Sequence, residues 1–468
     1  MSREKELVKN TGIILFGTIL PKLANIITLP IITYWLTKKD YGIYDLITTV
    51  VSLFLPVITL QVQSAAFRFL IDYKDNRKKQ DNIISTILVF VMLVSVISVS
   101  ILFFVLYKFT FFTRLLIVLY FLADIALIVL QQLARGLGKN IIYSVSTVVV
   151  SVTNMLLVVV TLRVYDTGLN GVLLSVAIST LLATIIAFFG LHLHGRIKIG
   201  NFSIITLKEM LSYSWPMIPN SLSNWVMSLS DRFVISGFMG LESEAVYSVA
   251  CKIPNLFTTV QGTFVMAWQE NASISAKDSD KDTYYSHMFD SIIRILFAIM
   301  SILIAFGPLL FRILIKGDYD EAYSQMPILY MAMFFSALAS FFGGIYVALK
   351  QTKSIGFTTI AAAIINITID LLFIKYIGIF AGSISTLVSY LALFVFRAKD
   401  IKRFISIKYE LKTILSIVVL LLCFCTINYF RIFYLDIVNM FIAISFSCIL
   451  NKKIIGDMYS VMRKKVNR

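Results

Sequence analysis

Ionisable side chains are scarce in the long apolar stretches of this sequence, yet Lys22, Asp45, Asp231, Arg232 and Lys252 all fall inside such stretches. Along "NSLSNWVMSLSDRFVISGFMG" (residues 220–240), a helix advancing about 100° per residue brings Asn220, Asn224, Ser228 and Asp231 within about 80° of one another, with Arg232 at the flank. Thr18, Lys22, Asn25 and Thr33 make a similar face, as do Asp45, Thr49, Ser52, Thr59 and Gln63, and again Ser248, Lys252, Asn255, Thr259 and Thr263. A charge at the centre of a membrane-spanning helix costs roughly 2.5–3.5 kcal/mol on insertion scales, so something must compensate it. Lys22, Arg232 and Lys252 against Asp45 and Asp231 leave a modest positive excess, which favours an anion. Phosphate fits, because Lys binds it as a point charge and Arg as a planar fork.

Structural roles compete for the same residues. Asp231 with Arg232 could form an internal ion pair that holds helices together, since intramembrane charges usually pair. Lys22 and Lys252 have no acid three or four residues away, so local pairing does not absorb them. Arg68 and Arg294 lie near span ends, where long side chains reach the headgroups. Asp124 and Asp370 stand off the four polar helices and read as structural. Trp225 points away from its stripe and reads as packing.

The elements that must position these groups are membrane helices. The 468-residue chain is 58% hydrophobic and 15% charged, with a mean hydropathy of +0.86, against roughly 25% charged in soluble domains. About fourteen stretches are each long enough to cross a hydrocarbon core of about 30 Å as a helix. They run over residues 11–34, 41–71, 83–107, 115–137, 141–162, 168–193, 209–237, 245–269, 285–314, 323–349, 355–376, 381–396, 411–430 and 434–450. These runs are continuously apolar rather than alternating, which excludes a β-barrel. The charged start "MSREKELVKN" imitates a signal peptide, but the run that follows is too long for one and lacks a small-residue cleavage site, so it reads as the first span.

A net charge of +16 raises the question of nucleic acid. Threading the spans with the N-terminus inside puts about 28 of the 42 Lys and Arg in inner segments and about 9 in outer ones. The basic loops "DYKDNRKKQ" and "RAKDIKRFISIKYELK" and the tail "MRKKVNR" carry the bias. The positive-inside rule therefore accounts for the charge, and nucleic acid is not an expected partner. Cys251, Cys423, Cys425 and Cys448 all fall in spans and carry no disulfide or zinc signal.

A polar linker, "HLHGRIKIGNFSIITLKE", follows the sixth span, and the chain before it resembles the chain after it. "DYGIYDLIT" opens span two as "SEAVYSVAC" opens span eight, and Asn154 and Asn366 hold matching places in spans five and eleven. Both matches pair span n with span n plus six. Two six-helix halves of the same orientation follow, and transporters built from such repeats place substrate between them. The expected division is 1–200 (spans one to six), 201–402 (spans seven to twelve) and 403–468 (spans thirteen and fourteen with a basic tail). The last two spans read as a lipid-facing addition. Six of the eight prolines, Pro21, Pro30, Pro56, Pro216, Pro219 and Pro254, lie on the four polar helices. Proline breaks a helix, and a membrane tolerates that where water or neighbours satisfy the freed carbonyls. A water-accessible cavity is expected there.

The stretches "NTGIILFGTILPKLANIITLPIITYWLTKKDYGIYDL", "NSLSNWVMSLSDRFVIS" and "EAVYSVACKIPNLF" resemble the bacterial polysaccharide exporters that flip undecaprenyl-diphosphate-linked oligosaccharides, including O-antigen and capsule repeat-unit flippases. The resemblance covers nearly the whole chain. It implies an all-α polytopic membrane protein of about fourteen transmembrane helices, with two six-helix lobes in pseudo-twofold symmetry, like the multidrug and toxin extrusion transporters, plus two extra C-terminal helices. It further implies alternating access, location in the bacterial cytoplasmic membrane with both termini cytoplasmic, and a lipid-linked oligosaccharide diphosphate as substrate. Polysaccharide polymerase and chain-length machinery are implied partners. By matching position, Lys22, Arg232 and Lys252 would hold the diphosphate, while Asp45 and Asp231 would be their partners or coupling-ion sites for Na⁺ or H⁺. Asn25, Asn220, Asn224 and Asn255 complete the expected substrate-binding set. No cofactor is expected, and the terminal pair of spans would shelter the polyprenyl tail.

Two other functions compete. A cation or multidrug antiporter of the same superfamily would want carboxylates in its membrane site, whereas the first span offers Lys22 and no acid on its stripe. A membrane glycosyltransferase or polymerase usually needs a sizeable outer loop, and none here exceeds about a dozen residues in this threading. The 3 histidines sit near no candidate acid–base pair, so no enzyme is expected.

Overall fold

The structure, a computed structural model, describes residues 3–276, 278–452 and 456. The basic tail at 462–468 and the side chain of Thr263 lie outside what it describes. Among the described residues every regular element is helical. The chain divides into two compact units, Met1–Leu222 and Ser223–Arg468.

The first unit contains α1 (Arg3–Trp35), α2 (Lys38–Ile58), α3 (Val62–Asp72), α4 (Arg77–Val105), α5 (Phe111–Gly136), α6 (Asn140–Val159), α7 (Gly168–Gly190), α8 (Ile204–Ser214) and the start of α9 (Ile218–Met239). Side-chain oxygens fix several helix starts. Thr37 accepts from the Asp40 amide at 3.1 Å ahead of α2, Asn76 from the Lys79 amide at 3.1 Å ahead of α4, and Ser203 from the Thr206 amide at 3.2 Å ahead of α8. The core is apolar, built from residues such as Ile84, Phe121, Val129 and Leu133. Leu93, Ile97, Ile101 and Phe104 form an exposed apolar face on α4, as a helix against lipid requires.

The second unit continues through α10 (Leu241–Lys252), α11 (Leu256–Ser275), α12 (Lys281–Ala305), α13 (Gly307–Leu314), α14 (Asp320–Ala348), α15 (Thr352–Ile377), α16 (Phe380–Asp400), α17 (Leu411–Tyr429) and α18 (Phe433–Leu450). Its centre is α14, buried along most of its length. Trp268 of α11 stacks on Phe341 with ring centroids 4.6 Å apart and donates its indole N–H to the Phe341 carbonyl at 2.8 Å. A side chain at Gly344 would collide with that indole, so the position requires glycine.

Prolines mark the places where the long apolar stretches break. Pro56 precedes the turn between α2 and α3, Pro216 sits in the 3₁₀ turn ahead of α9, Pro254 separates α10 from α11, and Pro308 opens α13. The first of these turns places Leu60 and Gln61 in left-handed conformations at φ 47° and 56°. It is stitched down within its unit: Ser214 donates to the Leu60 carbonyl at 2.8 Å, and Gln61 donates to Ser221 at 3.0 Å.

Eleven described helices are long and apolar enough to cross a membrane. Together with the exposed apolar faces they make this a multi-pass membrane protein. The helices that carry Lys22, Asp231 with Arg232, and Lys252 are not among the eleven; α10, which carries Lys252, is only 12 residues long. The same packing recurs in both units: α5 and α6 lie on α7, as α14 and α15 lie on α16. In the sequence numbering these are spans four to six and ten to twelve.

Candidate functional site

In the first unit, Lys22 follows Pro21 on α1, where it is exposed and has no ion-pair partner among the described residues. Asn25, about one turn on, is also exposed. Asp45 on α2 is only 3% exposed, with buried Thr49 one turn on, while Gln63, expected on the same stripe, lies beyond the turn on α3. Asn220, at the start of α9, is half-buried, and its Oδ1 has no hydrogen-bond partner among the described residues.

In the second unit, Asn224 and Asn255 are exposed and Lys252 is half-buried, whereas Asp231 and Arg232 are 2% and 7% exposed. The stripe expected along α9 therefore divides. Asn224 faces outward while Asp231 turns into the bundle.

Asp231 is the centre of a buried polar cluster drawn from four helices. Its Oδ2 accepts hydrogen bonds at 2.6 Å from the Tyr247 hydroxyl on α10 and at 2.6 Å from the Thr386 hydroxyl on α16. Its Oδ1 accepts from Ser385 at 3.5 Å. With the Asn366 amide oriented to satisfy its neighbours, Nδ2 donates to Asp231 at 3.3 Å and to Ser230 at 3.0 Å. Asp370, one turn beyond Asn366 on α15, is 0% exposed and lies near Asp231. Neither of its carboxyl oxygens finds a donor among the described residues. Two carboxylates, an amide and four hydroxyls thus form one buried polar cluster.

Sequence reasoning set Asp370 aside as structural, and the structure places it against Asp231. The signal was present in "INITID", where Asn366 and Asp370 are four apart and share a helix face. What the sequence lacked was the contact between α9 and α15. Trp225 packs as expected, its ring 5.6 Å from that of Phe233. Arg68 pairs with Asp72 at 3.3 Å at the end of α3.

The terminal helices are apolar outside, as expected, yet fastened by polar residues inside. Asn439 of α18 donates to Asn428 of α17 at 2.5 Å and to the Phe424 carbonyl at 3.1 Å. Asn428 in turn donates to the Ile304 carbonyl of α12 and accepts, at its own carbonyl, from Tyr323 of α14 at 3.0 Å. Buried amides of this kind fix register between membrane helices.

A family model described as "Polysaccharide biosynthesis protein" matches residues 7–269. No curated protein matches the chain. Among solved structures, the lipid II flippase MurJ in an inward closed conformation superimposes with a TM-score of 0.71 at 14% identity, covering 97% of this chain and 100% of that one. An inward-facing multidrug resistance MATE family transporter of the MOP superfamily gives a TM-score of 0.66 at 14% identity, over 82% of this chain and 95% of that one. A MOP superfamily transporter from Pyrococcus furiosus, whose binding pocket is described as reversed in polarity, gives 0.59 at 15% identity, over 85% and 96%. At these identities the likeness is one of fold, and that fold is the one MATE transporters and MurJ have in common.

Proposed function

The chain belongs to the family of polysaccharide biosynthesis proteins, and on that premise we propose that it is a flippase for undecaprenyl-diphosphate-linked oligosaccharide repeat units. It moves them by alternating access from the inner to the outer leaflet of the bacterial cytoplasmic membrane, with both termini cytoplasmic, for surface polysaccharide such as O-antigen or capsule. Its partners are the bilayer, the lipid-linked diphosphate and the polymerase and chain-length machinery that use the flipped product. Similarity in fold to a lipid II flippase supports a lipid-linked cargo.

The observation that carries this reading is Lys22, an exposed cation on a membrane helix without a counter-charge among the described residues. Such a charge is compensated by an anionic ligand, and a diphosphate offers the strongest match. Lys252 and Arg232 supply the corresponding charge on α10 and α9. Asn25, Asn220, Asn224 and Asn255 offer neutral hydrogen bonds for sugars or phosphate oxygens.

The Asp231–Asp370 cluster serves coupling rather than cargo. It is buried, and its two carboxylates carry negative charge that burial penalises. A shared proton or a small hard cation such as Na⁺ compensates that charge. Asp45, buried in the first unit, is the third carboxylate assigned to this role.

In cells that depend on this chain for surface polysaccharide, Lys22→Ala and Lys252→Ala are expected to lose export while membrane abundance and unfolding temperature stay at the wild-type level. Normal surface polysaccharide in both variants would overturn the reading. Export of organic cations by the wild type, with polysaccharide unaffected by its removal, would replace it with the antiporter.

A further inference from the structure

Outside the spans, the first unit holds a cavity of about 600 Å³ among three chain turns. Lys74 and Arg77 come from the α3–α4 turn, Lys139 from the α5–α6 turn, and His192, His194 and Arg196 from the segment after α7. This is the end of the unit that carries the basic loops, the inner face under the positive-inside rule. Its volume lies within the range of sites for small ligands.

The charge in this cavity is not neutralised from within. The cations Lys74, Arg77, Lys139 and Arg196 outnumber the nearby carboxylates Asp75 and Asp81 by two to one. Arg196 is already committed, donating to Asp81 at 2.6 Å and to Gln80 at 2.9 Å. Lys74, Arg77 and Lys139 have no ion-pair partner among the described residues. Lys139 reaches only the carbonyls of Gly190 and Leu191 at the end of α7, both at 3.5 Å. Burial, and then the like charge of Arg196, hold its ammonium below the ordinary lysine range. An anion placed between them relieves both effects.

The walls are fixed before any ligand arrives. The segment after α7 is fastened to the start of α4: Lys198 donates its amide to Ser85 at 3.2 Å, Ser203 to Thr86 at 3.1 Å, and Asn82 donates to the Asn201 carbonyl at 2.7 Å. Ligand groups held by such a frame lose little freedom on binding. His192 adds an imidazole whose Nδ1 sits 3.1 Å from the Gly190 carbonyl, so that ring is oriented as well.

We propose that this cavity is a recognition site for phosphoryl groups, taking a diphosphate or the phosphodiester headgroup of an anionic lipid, and that it is separate from the polar helices within the membrane. It stands whether or not Lys22 and Lys252 hold substrate.

The test uses the full-length protein in phosphatidylcholine nanodiscs, titrated calorimetrically with inorganic pyrophosphate, and in parallel the retention of added phosphatidylglycerol by native mass spectrometry. The wild type is expected to bind at least one probe. The triple variant Lys74→Gln, Arg77→Gln, Lys139→Gln should weaken that binding at least tenfold with an unchanged unfolding temperature. Lys139→Arg should keep it. Pyrophosphate binding identifies a diphosphate as the occupant, and phosphatidylglycerol retention alone identifies a lipid headgroup. The proposal is overturned if the wild type binds neither probe, or if the triple variant binds like the wild type.

Discussion

Matched positions in the two units have the same surroundings in packing and opposite chemistry. Asn154 of α6 and Asn366 of α15 occupy equivalent places, but the Asn154 Oδ1 is buried without a partner while the Asn366 amide joins the cluster around Asp231. One turn further, the first unit has Val158, fully buried, where the second has Asp370. On the following helices, Ser175 bonds Thr161 at 3.1 Å and the Gly171 carbonyl at 2.7 Å, whereas Thr386 reaches Asp231. Glycine is kept at both helix contacts, Gly171 against Thr161 and Gly382 against Ile235 and Tyr247. Close packing between helices is therefore common to both halves, and the Asp231–Asp370 pair is found in one of them.

The largest expected effect comes from forcing the second unit's chemistry onto the first. Val158→Asp buries a carboxylate with no counterpart of Asp231 beside it, at a cost of at least about 3 kcal/mol. Loss of folded protein in detergent, read by size-exclusion chromatography and thermal unfolding, is the expected result. A well-folded variant would mean that α6 has a partner for charge. Next in size, Asp231→Ala leaves the hydroxyls of Tyr247 and Thr386 without their acceptor, costing about 1–3 kcal/mol for each orphaned group. Asp231→Asn and Asp370→Asn should keep the fold better, yet lose export and any response of transport to Na⁺ or pH. Export that keeps its ion dependence in both would reduce the cluster to a structural role. The smallest contrast is between Asn366→Leu, expected to impair export, and Asn154→Leu, expected to change stability by no more than about 0.5 kcal/mol or to raise it, because an unpaired buried amide oxygen is removed.

Much of this frame was legible in the sequence. Apolar length gave the helices, proline placed the breaks at Pro56, Pro216 and Pro254, and the repeat paired α6 with α15. The exposed position of Lys22 also follows from its polar stripe. The Asp231 cluster was half legible: periodicity placed Asp231 and Asn224 on one face, but periodicity describes a single helix. Whether a face meets water, lipid or another helix depends on tertiary contacts, and it is α10, α15 and α16 that bury Asp231 and leave Asn224 exposed. The nearness of Asp370 to Asp231 was illegible for the same reason. Asn428 and Asn439 were passed over because two amides in forty apolar residues hardly alter a hydropathy profile, although they fasten α17 to α18 and α12.

The most direct measurement is translocation itself. Purified protein in proteoliposomes, loaded with a fluorescent undecaprenyl-diphosphate oligosaccharide, can be followed by the fraction of label that an external quencher reaches over time. Wild type should equilibrate the label across the leaflets, while Lys22→Ala and Lys252→Ala should match protein-free vesicles. Equal rates in wild type, variants and empty vesicles would contradict the flippase assignment, and equal rates in wild type and variants alone would contradict the role of the two lysines.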